Sequence, residues 1–99
     1  MATYLLGQVI VHDMEKFAPY MQSTSEAIAK YGGEVLDVVQ AKEAMEGDWP
    51  VGALTALVRF DTEAQLREFW DSPENAASKG LRRDTATSHV AMCVSLPRP

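Results

Sequence analysis

Apolar and polar residues recur along the chain with two periodicities, one typical of strands and one typical of helices. Residues 4–11, 34–40, 54–60 and 89–96 are short runs rich in β-branched and other apolar side chains, and they predict four strands. In residues 4–11 both alternate faces are largely apolar. A strand of this kind has to be covered from both sides.

The segment between the first two strands carries the signals of a long helix. Asp13 is a typical N-cap residue, and Gly32-Gly33 predicts the end of the helix, where one glycine adopts a left-handed conformation. Apolar residues recur at helical spacing along this segment, and we expect them to be buried: Met14, Phe17, Met21, Ile28 and Tyr31.

A second helical segment follows the third strand and contains a break. Thr62 with Gln65 three residues later forms a capping-box pattern, and Ser72-Pro73 predicts a second start, with serine as N-cap and proline in the first turn. The order of elements is therefore β-α-β-β-α-β. Right-handed crossovers of two such units give an α+β, ferredoxin-like split-βαβ fold, with both helical segments on one face of a four-stranded antiparallel sheet.

That architecture leaves the other face of the sheet without a cover. Residues 1–99 are enough for a single domain, and the sequence holds no second core, linker or repeat. A bare apolar face on a chain of this size predicts a partner, and a second copy packed sheet to sheet would cover it. We therefore expect a homodimer through the sheet faces.

Composition narrows the function classes. A hydrophobic content of 46% with 23% charged residues is typical of a globular protein, and a net charge of -5 with scattered basic residues argues against nucleic-acid binding. No apolar run approaches the ~20 residues of a membrane span. The single Cys93 cannot form an internal disulfide, which favours a cytoplasmic location. Because neither a metal-ligand cluster nor a Gly-rich phosphate loop appears, we expect no cofactor, although a single haem-ligand histidine stays open.

Several short motifs, in this order and spacing, resemble those of the domain-of-unknown-function 1330 family, part of the dimeric α+β barrel superfamily. The resemblance runs from Tyr4 to about Val94 and rests on Asp13 with Phe17 and Tyr20, Tyr31-Gly32-Gly33, Glu46-Gly47-Asp48-Trp49, Phe60, Trp70 with Ser72-Pro73-Glu74, and Leu81-Arg82. It implies a ferredoxin-like fold that dimerises through its sheets, but no reaction. Related dimeric barrels include cofactor-free monooxygenases, muconolactone-type isomerases, polyketide cyclases and chlorite-dismutase-like haem proteins. Asn75, where the family usually has tyrosine, and Ala53, near a position that is often basic, depart from the pattern.

Three residues are candidates for acid–base catalysis, and each has a structural alternative. His89 at the start of the last strand is a possible general base, or an exposed strand-end residue. His12, beside Asp13, is either an oriented base or a loop residue. Glu46, in the connection between the second and third strands, is either a general acid–base or a turn residue whose carboxylate binds backbone amides.

Five residues are candidates for ligand binding. Arg82 suits a carboxylate, which a guanidinium binds through two hydrogen bonds, or it complements the C-terminus of its helix. Gln8, the one polar side chain within the first strand, suits a ligand carbonyl. The other three are Asp13, Trp49 and Arg59.

These observations leave two hypotheses about function. The first is a cofactor-independent enzyme that carries out proton transfer, isomerisation, cyclisation or oxygenation on a small organic acid or an aromatic metabolite. The second is a non-catalytic metabolite-binding or accessory subunit. An enzyme of the first kind needs a titratable group in its cavity, whereas a carrier can be lined by apolar groups alone.

Overall fold

A computed structural model describes residues 2–97. Four strands and three helices follow one another as β1 (Thr3–Val11), α1 (Met14–Lys30), β2 (Glu34–Gln40), β3 (Leu54–Phe60), α2 (Glu63–Trp70), α3 (Pro73–Arg82) and β4 (Ala86–Val94). The strands form one antiparallel sheet in the order β2-β3-β1-β4, and the helices pack on one face of it. This is the predicted ferredoxin-like α+β arrangement.

The helices begin where local side-chain chemistry predicts. The Asp13 side chain accepts a hydrogen bond from the Lys16 backbone N–H at 3.1 Å, and Thr62 and Gln65 form the complete capping box. Ser72 caps α3, and a proline follows it in the first turn. These caps satisfy backbone N–H groups that have no partner inside the helix. Among residues 2–97, no helix is long and apolar enough to cross a membrane.

The two glycines after α1 serve different purposes. Gly32 has φ +82°, which confirms the left-handed conformation predicted at this helix end. Gly33 instead permits close packing: a Cβ atom there would lie 2.7 Å from Ile28 Cγ2 and 2.7 Å from Phe60 Cζ. The chain can therefore turn from α1 into β2 against the core only without a side chain at this point.

The core lies between the sheet and the helices. It contains Leu5, Ala27, Ile28, Val58, Phe60, Leu66 and Phe69. The Phe60 and Phe69 ring centroids are 5.6 Å apart, and both rings are almost completely buried. A second contact ties the ends of α1 and α3 together outside the core, because the Glu74 carboxylate accepts hydrogen bonds from Lys30 Nζ at 2.7 Å and from the Tyr31 hydroxyl at 3.0 Å.

Two expectations were wrong in detail. Met14 and Met21 are 52% and 39% exposed, so neither belongs to the closed core; Met21 lines a cavity that is described below. The last strand begins at Ala86, three residues before the predicted start. Ala86 has weak strand propensity, and its pairing with Val11 of β1 fixes it in the sheet.

No element of residues 2–97 covers the side of the sheet away from the helices. This open face comprises Tyr4, Leu6, Gln8 and Ile10 of β1, Glu34, Asp37 and Val39 of β2, Thr55, Leu57 and Arg59 of β3, and Thr87, His89, Ala91 and Cys93 of β4, as alternation and register require. Its centre is apolar, with Leu6 next to Leu57, and Leu6 is 39% exposed.

Candidate functional site

A cavity of about 110 Å³, partly open to solvent, lies between the sheet and the helices. We call it the helix-side cavity. Its wall is mostly apolar and consists of Leu5, Gly7, Val9, Val35, Val38, Leu54, Ala56, Val58 and Val90 from the sheet, Phe17, Tyr20, Met21, Thr24, Ser25 and Ile28 from α1, and Phe69, Trp70, Asn75 and Arg82 from the region of α2 and α3. An apolar cavity with a few polar groups is the usual form of a small-molecule site.

The cavity exists because two small residues are neighbours in the centre of the sheet. Gly7 of β1 pairs with Ala56 of β3 and with Val90 of β4. A Cβ atom added to Gly7 would meet only Val90 Cγ2, at 3.9 Å, so the space above the glycine is empty rather than filled by a helix side chain. Larger residues at these two positions would close the gap between the sheet and α1.

The roof of the cavity is one face of α1. Phe17, Tyr20, Met21, Thr24 and Ile28 recur at spacings of three, one, three and four residues, which places them on one side of a helix. The sequence candidates did not include Tyr20 as a ligand-binding residue. Its position on the same helix face as the buried Phe17 and Ile28 is the signal that could have found it.

The mouth of the cavity opens between α1 and β2. The wall residues Met21, Val35 and Val38 are 39%, 40% and 44% exposed, whereas Phe17 and Phe69 are almost completely buried. A ligand would therefore enter past apolar side chains and reach the interior beneath α1.

The most polar part of the wall is a pair of side chains from α1 and α3. Arg82 Nη1 donates a hydrogen bond to the Tyr20 hydroxyl oxygen at 3.0 Å, and the guanidinium carbon lies 5.3 Å from the centre of the Tyr20 ring. No carboxylate of residues 2–97 forms an ion pair with Arg82. The turn after α3 holds Arg82 in place, since the Thr85 backbone N–H and hydroxyl both donate to the Arg82 carbonyl.

Asn75 adds a neutral polar group deeper in the wall. It is 3% exposed, and its Nδ2 donates a hydrogen bond to the Trp70 carbonyl at 2.8 Å. Its backbone N–H is bound by the Ser72 hydroxyl. Asn75 is thus fixed from both sides, as a residue that shapes a binding site should be.

None of the three acid–base candidates lines the helix-side cavity. His12 Nε2 shares a hydrogen bond of 2.8 Å with the Thr87 hydroxyl at the end of the sheet. His89 lies on the open face, and Glu46 lies exposed in the connection between β2 and β3.

Among the five ligand-binding candidates, only Arg82 lies in the cavity wall. Gln8 and Arg59 are on the open face, where Gln8 is directly paired with His89 and Arg59 binds Asp61 at 2.7 Å. Trp49 is 47% exposed in the connection before β3. The Asp13 carboxylate caps α1 and forms no hydrogen bond with His12.

A second groove of about 260 Å³ lies between α2 and β4. It shares Leu5, Trp70 and Val90 with the helix-side cavity, and Arg67 is the one charged residue among its described lining. Fewer polar groups converge there, so the helix-side cavity is the stronger candidate. Within residues 2–97, no group of three or more metal-binding side chains comes together.

Solved structures with this fold carry different functional descriptions. RPA0582, a protein of unknown function from Rhodopseudomonas palustris, is 15% identical with a TM-score of 0.81, over 98% of this chain and 84% of that one. SnoaB, a cofactor-independent oxygenase from Streptomyces nogalater, is 12% identical with a TM-score of 0.72, over 98% of this chain and 95% of that one. The de novo designed protein Foldit4 is 15% identical with a TM-score of 0.63, over 97% and 100% of the two chains.

These likenesses show the fold and nothing finer, because one fold supports many functions and one of the three neighbours is a design. No functionally curated protein matches the sequence significantly. The sequence profile of the domain of unknown function DUF1330, in contrast, matches residues 2–95, nearly the whole chain. The chain therefore belongs to the DUF1330 family.

Proposed function

We propose that the protein is a homodimer, joined through its open faces, that binds a small organic molecule in the helix-side cavity of each subunit. The observation that carries the proposal is the cavity itself, which has apolar walls, an open mouth and a cation that no carboxylate of residues 2–97 neutralises. The ligand is an organic acid or an aromatic compound. We also propose a cytoplasmic location, which the single cysteine supports.

The dimer follows from the physics of the open face. Apolar side chains at its centre, Leu6 and Leu57 among them, gain roughly 25 cal/mol for each Å² removed from water. A second copy offers the same apolar surface through two-fold symmetry. In such a dimer Gln8 and His89 face the partner's sheet, so any chemistry by these two residues takes place between subunits rather than in the helix-side cavity.

The cavity wall favours binding over acid–base catalysis. Among the described residues, Tyr20 and Arg82 are the only titratable groups in it, and an arginine stays protonated at any physiological pH. Because His12, His89 and Glu46 lie elsewhere, a ligand in the cavity meets no carboxylate or imidazole base of residues 2–97. The binding or accessory function is therefore our first proposal.

Cofactor-independent oxygenation is the second candidate, and the likeness to SnoaB supports it. Such a reaction needs an electron-rich substrate that ionises in solution, because the described wall offers no carboxylate or imidazole base, while the Tyr20 hydroxyl could donate a hydrogen bond to the substrate anion. Oxygen consumption with electron-rich phenols, measured with an oxygen electrode, tests this candidate. Consumption that is lost on Tyr20→Phe would support it, and no consumption above the rate without protein would exclude it for these substrates.

Ligand binding can be measured by the fluorescence of a tryptophan in the cavity wall. Trp70 lines the wall, so its fluorescence should respond to occupancy once Trp49 is replaced by phenylalanine. We expect compounds with one ring to bind with Kd values of roughly 10 µM to 1 mM, the range open to ligands with fewer than ten non-hydrogen atoms.

The matched control is Gly7→Val, which places a side chain in the cavity. Its Cβ would make an ordinary contact with Val90, and its two methyl groups would extend into the empty space. We expect Gly7→Val to fold with unchanged or higher stability and to lose ligand binding. Binding that persists in this variant would show that the ligand occupies another site.

Dimerisation is tested separately by Leu6→Asp, at the centre of the open face. Light scattering during size-exclusion chromatography should give about twice the chain mass of 10.9 kDa for the parent and a single chain for the variant. Ala18→Asp, on the exposed side of α1, adds the same charge away from the sheet and should stay dimeric. A monomeric parent at micromolar concentration would refute the dimer.

A further inference from the structure

We propose that the ligand of the helix-side cavity is a small monocarboxylate, whose carboxylate group is held jointly by the Arg82 guanidinium and the Tyr20 hydroxyl. This inference rests on the proposed function and narrows it, because it selects an acid with a compact apolar body from the classes left open above. Three features of the wall lead to it.

The first feature is the missing counter-ion. Arg82 is half-buried against an apolar cavity, yet no carboxylate of residues 2–97 forms an ion pair with it. The described chain holds two ion pairs, Lys30 with Glu74 and Arg59 with Asp61, and Arg82 belongs to neither. A charge beside apolar surface is costly unless it is paired, so an anion in the cavity gains more from Arg82 than one in water does from a surface cation.

The second feature is the direction of the hydrogen bonds. Arg82 Nη1 donates to the Tyr20 hydroxyl oxygen, which leaves the Tyr20 hydroxyl hydrogen free to donate elsewhere. The guanidinium carries four further N–H groups. Two neighbouring side chains thus offer donors on one side of the cavity, and a carboxylate, which only accepts, is the ligand group that satisfies both.

The third feature limits the rest of the ligand. Among the described residues, the wall contains no second cation: Lys79 lies 4.0 Å from the centre of the Trp70 ring and does not line the cavity. One cation suits a single negative charge rather than a dicarboxylate or a phosphate ester. A volume of about 110 Å³ is somewhat below the ~150 Å³ of an apolar cavity that accepts benzene, so the apolar body is a branched chain or one ring that reaches towards the mouth.

Matched ligands separate this inference from the proposed function. Benzoate and benzamide have the same shape and differ in charge, as do 3-methylbutanoate and its amide. Titration of the Trp49→Phe protein near neutral pH should show each carboxylate binding at least about tenfold more tightly than its amide, the scale of a charged hydrogen bond. Equal affinity for acid and amide overturns the carboxylate inference and leaves the cavity proposal standing. Absence of binding by all four compounds overturns both.

Matched variants then test which side chains bind the carboxylate of the ligand. Arg82→Gln should weaken carboxylate binding about tenfold to a hundredfold and leave the affinity for the amides unchanged. Tyr20→Phe should weaken it by a smaller factor, since the guanidinium remains. Arg83→Gln removes an exposed neighbouring charge and should have no effect. Equal losses in the Arg82 and Arg83 variants, or none in Arg82→Gln, overturn the inference, because a general electrostatic effect would then explain any preference for acids.

Discussion

Replacement of Gly33 by alanine should destabilise the protein through packing alone. The added Cβ would lie 2.7 Å from Ile28 Cγ2 and 2.7 and 2.8 Å from two ring atoms of Phe60. Separations below 3.0 Å force a shift, and neither neighbour can move freely because Ile28 and Phe60 are 5% and 0% exposed. The backbone of Gly33 itself is not in the left-handed region, so alanine adds no strain there.

The magnitude follows from two opposing terms. Overpacking of a close-packed core costs about 1–3 kcal/mol, and three contacts at this distance indicate the upper part of that range. Alanine has less conformational freedom than glycine in the unfolded chain, and this difference offsets about 0.4–1 kcal/mol of the overpacking cost. We therefore expect the free energy of unfolding to fall by about 2 kcal/mol. At a typical urea dependence of 1–3 kcal/mol per M, the midpoint falls by about 1 M.

Urea unfolding followed by far-ultraviolet circular dichroism, at one fixed protein concentration, measures this shift. Gly32→Ala provides the comparison, since its cost of about 1 kcal/mol comes from a side chain at φ +82°, and Gly32→Asn should cost less because asparagine tolerates that conformation. In a Phe60→Leu background, which removes the opposing ring atoms, Gly33→Ala should cost clearly less. An unchanged midpoint for Gly33→Ala, or an equal cost in both backgrounds, would refute the packing argument.

Three further predictions concern the helix ends. Hydrogen bonds from Lys30 and then Tyr31 hold the pKa of Glu74 below its ordinary value of 4.5. The contact therefore stabilises the fold above that value, and this stabilisation is lost as the pH falls through the lowered pKa. Urea midpoints should show Glu74→Gln less stable than the parent near neutral pH and equal to it in strong acid. Thr62→Ala removes the acceptor of the capping box and should lower the free energy of unfolding by about 1 kcal/mol, whereas Thr62→Ser should change it little. Asp84 has φ 68°, so Asp84→Gly should raise the thermal midpoint or leave it unchanged, and a clear decrease would mean that its side chain stabilises the turn.

The positions of the strands and helices were largely readable from the sequence because short-range interactions decide them. The bounds of β2 and β3 match the predicted runs, and the caps at Asp13, Thr62 and Ser72 act within a few residues of themselves. The element order then allows few topologies, which is why the ferredoxin-like sheet followed. The start of β4 could not be predicted in this way, because Ala86 joins the sheet only through its pairing with β1.

The cavity was decided by the tertiary structure. Gly7 and Ala56 are 49 positions apart in the sequence, and only the register of β1 against β3 makes them neighbours and leaves a gap beneath α1. Tyr20 and Arg82 are 62 positions apart and meet because α1 packs on α3. The sequence named Arg82 as a residue type suited to an acid, but it could not separate Arg82 from His89 or Gln8, which the same fold carries to the opposite face. Side-chain types are local, whereas a cavity is a volume left between distant segments, so only their packing determines which residues share it.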